Sequence, residues 1–107
     1  MIVIEEFNIY EITFDKLMEL IKNNDNNEDV ENLLYVAKYK EHYIALDNVT
    51  NCFTLEEFDT KRKAICWLLR CDYDADKINS MEDDMVRNLI NKQKYRLIKC
   101  NAKQNVL

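Results

Sequence analysis

The 107 residues contain no glycine and no proline. At average usage of ~7% and ~5% that absence has a probability on the order of one in a million. It deprives the chain of the two residues that punctuate backbone structure most strongly. Asn, Lys and Ile abound while Ala is scarce, the pattern of a very AT-rich coding sequence, because Gly and Pro have GC-rich codons. The physical consequence is conformational. Every position with positive φ is expected to fall to Asn or Asp, which tolerate that region best after Gly. The turn candidates are therefore Asn23, Asn24, Asn26, Asn27, Asn48, Asn51, Asn79, Asn91 and Asn101.

The length fits one domain over 1–107, large enough to bury a core without disulfides or metal. The first residues, MIVIEEFNIY, lack the basic, apolar and small-residue segments of a signal peptide. No apolar run approaches the ~18 residues of a membrane span. The four cysteines, Cys52, Cys66, Cys71 and Cys100, show no CxxC. Without an export signal they are expected to be reduced thiols in the cytoplasm.

Hydrophobic periodicity supplies the elements. Ile2, Val3, Ile4, Phe7 and Ile9 predict a strand over 2–10. Thr13 has the place of an N-cap for a helix over 14–23, whose Phe14, Leu17, Met18, Leu20 and Ile21 recur at helical spacing. NNDNNED ends it as a solvated loop. Strands follow at about 32–40 and 42–47, joined by a tight turn at Lys40–Glu41, then a third at 52–58. Asp59 or Thr60 caps a helix of about 60–70 that carries Ala64, Ile65, Trp67 and Leu68 inward. Ser80 and Asp83 approximate a capping box for a helix over 81–92. Tyr95, Leu97 and Ile98 predict a last strand at 94–100, with 101–107 as a frayed tail. The order β-α-β-β-β-α-α-β is an α+β fold, a mainly antiparallel sheet with helices packed on one side.

Within residues 42–69 lie an Asp47-Asn48 turn, Cys52-Phe53, Glu56-Glu57-Phe58, a Thr60 cap and Ala64-Ile65-Cys66-Trp67-Leu68. This stretch resembles a pattern in small proteins of phages and mobile elements, with Thr50-Asn51 where the pattern has Gly in the turn. The resemblance implies a phage accessory protein and no particular reaction.

Chemical motifs are sparse. Asp72, Asp74 and Asp76 resemble the opening ligands of an EF-hand loop, with Asp83 at its twelfth position, but Lys77 stands where the sharp turn wants Gly. Cys66 and Cys71 lie five apart, a spacing that does not bring two thiols onto one helical face for zinc. His42 has no evident orienting partner for Cys-His catalysis, and a Gly-rich phosphate loop is excluded. The expectation is a protein without metal or other cofactor, and not an enzyme.

Charge is the feature left over. Residues 1–60 hold fourteen acids and four bases, a net of −10, whereas 61–107 hold six acids and eleven bases, a net of +5. Self-repulsion across so acidic a half costs stability, and the field suits steering onto a basic partner. The acids fall in groups: Glu28, Asp29, Glu31; Glu56, Glu57, Asp59; and Glu82, Asp83, Asp84, the last suited to a helix N-terminus. With the resemblance above, they point to a phage-encoded inhibitor, similar to an anti-CRISPR. It would act in the host cytosol and dock on the basic groove of a host nuclease or other nucleic-acid-binding defence complex. The partner-binding residues expected are Glu28, Asp29, Glu31, Glu56 and Glu57, with Tyr35, Tyr39, Tyr43 and Phe53 as exposed aromatic anchors. The alternative is a nucleic-acid-binding accessory protein that uses the acid-free stretch Lys92, Lys94, Tyr95, Arg96 and Lys99. The net charge of −5 opposes that alternative.

Overall fold

A computed structural model of the chain describes residues 2–4, 8–49, 53–69 and 73–104, with side chains described between 8 and 94. The elements run β1 (Ile2–Ile4), β2 (Ile9–Ile12), α1 (Phe14–Asp25), β3 (Leu34–Tyr39), β4 (His42–Asp47), β5 (Thr54–Phe58), α2 (Lys61–Leu68), α3 (Ala75–Asn79) and α4 (Asp83–Gln104). The strands lie side by side in sequence order, with β2 to β5 forming the body of a mixed sheet and β1 extending it at one edge. Among the described strands only the β2–β3 pair is parallel, because α1 carries the chain back between them. The neighbouring pairs are antiparallel. The class is the α+β expected from the periodicity; its helices cover both faces of the sheet, α1 one and α2 to α4 the other.

Strand alternation splits the interior in two. Ile9, Val36, Ala45 and Phe58 face α2, α3 and α4, which pack together on one side with Ala64, Cys66, Leu68, Ile78 and Val86 buried. Residues of opposite parity, Ile12, Tyr35, Ala37 and Leu46, face α1 and its Leu17 and Leu20. Fully burying a side chain such as Phe58 or Leu17 stabilises by ~1.5–3 kcal/mol, so each layer is a core in its own right. Lys63 is buried beside the first layer, its ammonium donating to the Asp59 carboxylate and to the Asn79 carbonyl at 2.9 Å. That contact ties α2 to the end of α3.

Capping sets most helix boundaries. The Thr13 hydroxyl accepts from the Lys16 amide and the Thr60 hydroxyl from the Lys63 amide, each at 3.2 Å. Ser80 does not cap the following helix. It closes α3, its hydroxyl donating to the Lys77 carbonyl at 2.7 Å, and the next helix starts at Asp83. The short α3 has no counterpart in the periodicity, being one turn long. Its cap is Asp74, which accepts from the Lys77 amide.

Three expectations about single segments are corrected. The strand expected at 94–100 is helical, because α4 continues unbroken from Asp83 to Gln104. With neither Gly nor Pro to stop it, the helix runs on. The chain expected to fray from 101 is helical as far as Gln104, and 105–107 lie outside the described residues. The strand expected over 2–10 is divided into β1 and β2, with Asn8 at φ 55° just before β2.

The rule that positive φ belongs to Asn or Asp holds at Asn8 and Asn27 but not at Lys40, φ 55°, or Phe53, φ 45°. Lys40 is the first residue of the two-residue turn that pairs Tyr39 with His42. Positive φ at that position alone is the sign pattern of a II′ turn, normally a glycine's place. Phe53 packs its ring against the α1-side core, and that burial holds a conformation a bulky residue otherwise avoids.

Candidate functional site

The acidic loop after α1 is built by asparagines. At the helix end the Asn27 amide donates to the Asn24 carbonyl and the Glu28 amide to the Asn23 carbonyl, with Asn27 at φ 59°. That is a Schellman stop with Asn in the position usually held by Gly. It turns the chain out of α1 and presents Glu28, Asp29 and Glu31 to solvent. The far end of the loop is clamped by Asn48, which follows β4 and is buried. Its side-chain amide donates to the Val30 carbonyl at 3.1 Å and to the Glu31 carbonyl at 3.0 Å. Its backbone amide donates to the Leu33 carbonyl. Asp47 supports the turn by accepting from the Val49 amide. Asn48, expected only as a turn residue, is thus what holds the loop's shape.

Two concavities flank α1 on this face of the sheet. One, about 360 Å³, is bounded by Tyr10, Ile12, Lys16 and Leu20 and by Asp29, Glu31 and Tyr35 across from them. The Tyr10 and Tyr35 rings are tilted with centroids 6.2 Å apart. Burial, then the Glu31 carboxylate, then Tyr10 push the Tyr35 hydroxyl above the ordinary 10.0, so it stays neutral and protonated at physiological pH. Lys16 at the rim pairs with Glu19 at 3.5 Å. The other concavity, about 280 Å³, is an apolar groove between Phe14, Leu17, Met18 and Ile21 of α1 and Ile44 and Leu55 of the sheet. Glu56 and Glu57 border it on edge strand β5. The Glu57 carboxylate lies 3.5 Å from His42, and its carbonyl accepts from the Asn79 side chain.

The structure therefore brings Asp29, Glu31 and Tyr35 to one cavity and Glu56 and Glu57 to a second, separated by α1. Glu28 is exposed and borders neither. The aromatic anchors do not form one patch. Tyr35 is only 4% exposed, the inward residue of a central strand, so it is no exposed anchor. Tyr43 packs into the layer under α2 to α4, and Phe53 into the layer under α1. Tyr39 alone is exposed; it stacks on Phe14 with centroids 4.1 Å apart. A strand turns successive side chains to opposite faces, so β3 and β4 divide the tyrosines between two sides. Sequence reasoning missed Tyr10, Lys16 and Asn48 as parts of this site. Only the parallel β2–β3 pairing brings Tyr10 beside Tyr35.

For the alternative site, Lys92 and Lys94 lie on α4, and the side chains of Tyr95, Arg96 and Lys99 lie outside the described ones. Cys66 is a buried thiol on α2. Cys52, Cys71, Asp72 and the Cys100 side chain also lie outside the described residues. Among the described residues no three His, Cys, Asp or Glu side chains are placed to hold a metal ion, and Asp74 is engaged as the α3 cap. No helix among them is long and apolar enough to cross a membrane.

No family model matches the chain, and neither a curated protein nor a solved structure matches it.

Proposed function

We propose that this chain is a non-enzymatic binding protein that docks the α1 face of its sheet on a basic protein surface. The observation that carries the reading is the placement of carboxylates on both flanks of one helix. Asp29 and Glu31 border the cavity on one side, and Glu56 and Glu57 the groove on the other. Acids spaced across a face steer a basic partner and fix its register. The resemblance of residues 42–69 to phage and mobile-element proteins gives the reading its concrete form. The partner is a host nuclease or defence complex whose nucleic-acid groove the acidic face occupies, as an anti-CRISPR would.

The test is competition with duplex DNA for a panel of guide-loaded RNA-guided nucleases. The wild-type chain should displace DNA from at least one of them. The variant carrying Glu28→Lys, Glu31→Lys, Glu56→Lys and Glu57→Lys should associate at least tenfold more slowly, with the difference shrinking as salt rises toward ~0.5 M. Equal association by the folded variant, or no displacement across the panel, removes the reading.

A second reading draws on α4. Because 92–104 is helical, positions 92, 96, 99 and 103 recur at the spacing of one helical face. All are Lys or Arg. Basic residues so spaced suit a nucleic-acid backbone. Duplex binding that falls steeply with salt, and that vanishes when Lys92, Arg96 and Lys99 are neutralised, would decide for this reading.

A further inference from the structure

We infer that the apolar groove between α1 and strands β4 and β5 receives an amphipathic α-helix of the basic partner, seated beside α1 as a second helix on that face. The inference rests on the docking reading above and names the element of the partner that docks. The two faces of the sheet are covered unequally. Three helices, α2, α3 and α4, pack on one face, and α1 alone packs on the other. α1 packs on β3, the central strand, and β5 lies two strands away. Neighbouring strands are ~4.8 Å apart, so β5 is roughly 10 Å from the strand beneath α1. Packed helices lie about 8–10 Å apart, axis to axis. The open width is therefore that of one helix.

The groove also has the chemistry for such a helix. Phe14, Met18 and Ile21 recur at i, i+4 and i+7 along α1, a run of about 10 Å, and Ile44 and Leu55 form the floor. Met18 is 46% exposed and the other four are half-buried, so apolar surface remains for a partner's apolar stripe to cover. The exposed Tyr39 ring, stacked on Phe14, extends that surface. Charge selects among apolar helices. Glu56 and Glu57 border the groove, and Asp25 continues the α1 stripe one turn past Ile21. Among the described residues no Lys or Arg lines it. A helix with Lys or Arg beside its apolar stripe meets these acids, whereas an acidic one is repelled. An added strand fits less well. β5 is the edge of the sheet, but α3 packs against it and the Asn79 side chain donates to the Glu57 carbonyl at 2.9 Å. Strand addition needs that row of backbone groups free.

The experiment titrates the full chain at low salt with an alanine-based helical peptide of about 18 residues, long enough to hold its helix. It carries leucines at i, i+4 and i+7 with lysines on both flanks. Backbone amide shifts report the site. Three control peptides replace the leucines by Ser, replace the lysines by Glu, or keep the composition with a central Pro that breaks the helix. Saturable shifts are expected at Met18, Ile21, Ile44 and Leu55, with each control about tenfold weaker. Met18, Glu56 and Glu57 are exposed, so their variants keep the core intact. Met18→Ser should weaken the peptide about threefold, and Glu56→Gln with Glu57→Gln about fivefold. Equal binding of the Ser or the Pro peptide overturns the helix site and leaves the docking reading standing, because charge alone then docks. Equal binding of the Glu peptide overturns both readings. Groove shifts that grow with protein concentration and no peptide assign the groove to a second copy of the chain and overturn the inference. No saturable groove shift with any peptide also overturns it, and the DNA competition then judges the docking reading alone.

Discussion

Replacing Asn48 tests how the acidic loop is held. The side chain is 3% exposed and donates both of its N–H groups, to Val30 and Glu31. Asn48→Ala removes those bonds, each with a net contribution of about 1 kcal/mol. The abandoned carbonyls lie on residues that are half-buried or exposed, so water can reach them and the full desolvation penalty does not apply. The expected loss is about 2 kcal/mol, or roughly 8–10 °C in melting temperature for a domain of this size. Asn48→Asp is the sharper probe. It keeps the shape but sets a carboxylate oxygen about 3 Å from carbonyl oxygens in a buried site, and should cost more than ~3 kcal/mol at neutral pH. Urea unfolding of wild type, Ala and Asp variants measures the series. The Ala variant should also lose amide protection at Leu33, whose neighbours the clamp orders. A loss below ~0.5 kcal/mol for Ala, or an Asp variant no worse than Ala, would refute the clamp.

Trp67 packs half-buried on the α2-side core, its ring 5.8 Å from that of Phe58, so Trp67→Ala should cost about 2–3 kcal/mol by denaturant unfolding rather than the ~3–5 of a fully buried ring, and a cost under ~1 would contradict the packing. Lys40→Gly relieves a left-handed residue at φ 55° but forfeits the ammonium 5.3 Å above the Tyr39 ring; a net gain of about 0.5 kcal/mol is expected, and a destabilised variant would refute the turn geometry. Tyr35 is held protonated above the ordinary 10.0 by burial, Glu31 and Tyr10. Its contribution is therefore fully present below about pH 10 and is lost as pH climbs through the raised folded-state value, because the native state keeps a proton the unfolded chain releases. Tyr35→Phe should flatten that alkaline fall in stability, and an unchanged pH profile would count against a shielded hydroxyl.

Local signals placed α1, β3, β4, β5 and α2 well, because each pairs a strong period with a sharp boundary. Thr13 and Thr60 cap their helices where expected, and the Lys40–Glu41 turn lies where the alternation breaks. The error at 94–100 came from a short apolar run, Tyr95, Leu97 and Ile98, which fits a strand by composition alone. Propagating an existing helix needs only one hydrogen bond per added residue, whereas a strand there needs a free sheet edge. The missed α3 is one turn long, too short for its period to show. Asn27 at the helix stop was legible because Asn is the best substitute for Gly at positive φ. Phe53 was not, because only the apolar layer it fills makes its backbone strain tolerable.

The sequence by itself determined the class of fold, the helix caps, the asparagine turns and the concentration of acid in the first sixty residues, since these depend on contacts within a few positions. Tertiary structure decided which of those charges belong together. The parallel return of β3 beside β2 puts Tyr10 next to Tyr35 and brings Asp29 and Glu31 over the cavity they border, while α1 separates them from Glu56 and Glu57. It also decided which aromatics are exposed, because strand parity sends Tyr35 and Tyr43 to opposite faces, and a face has no meaning until helices cover it.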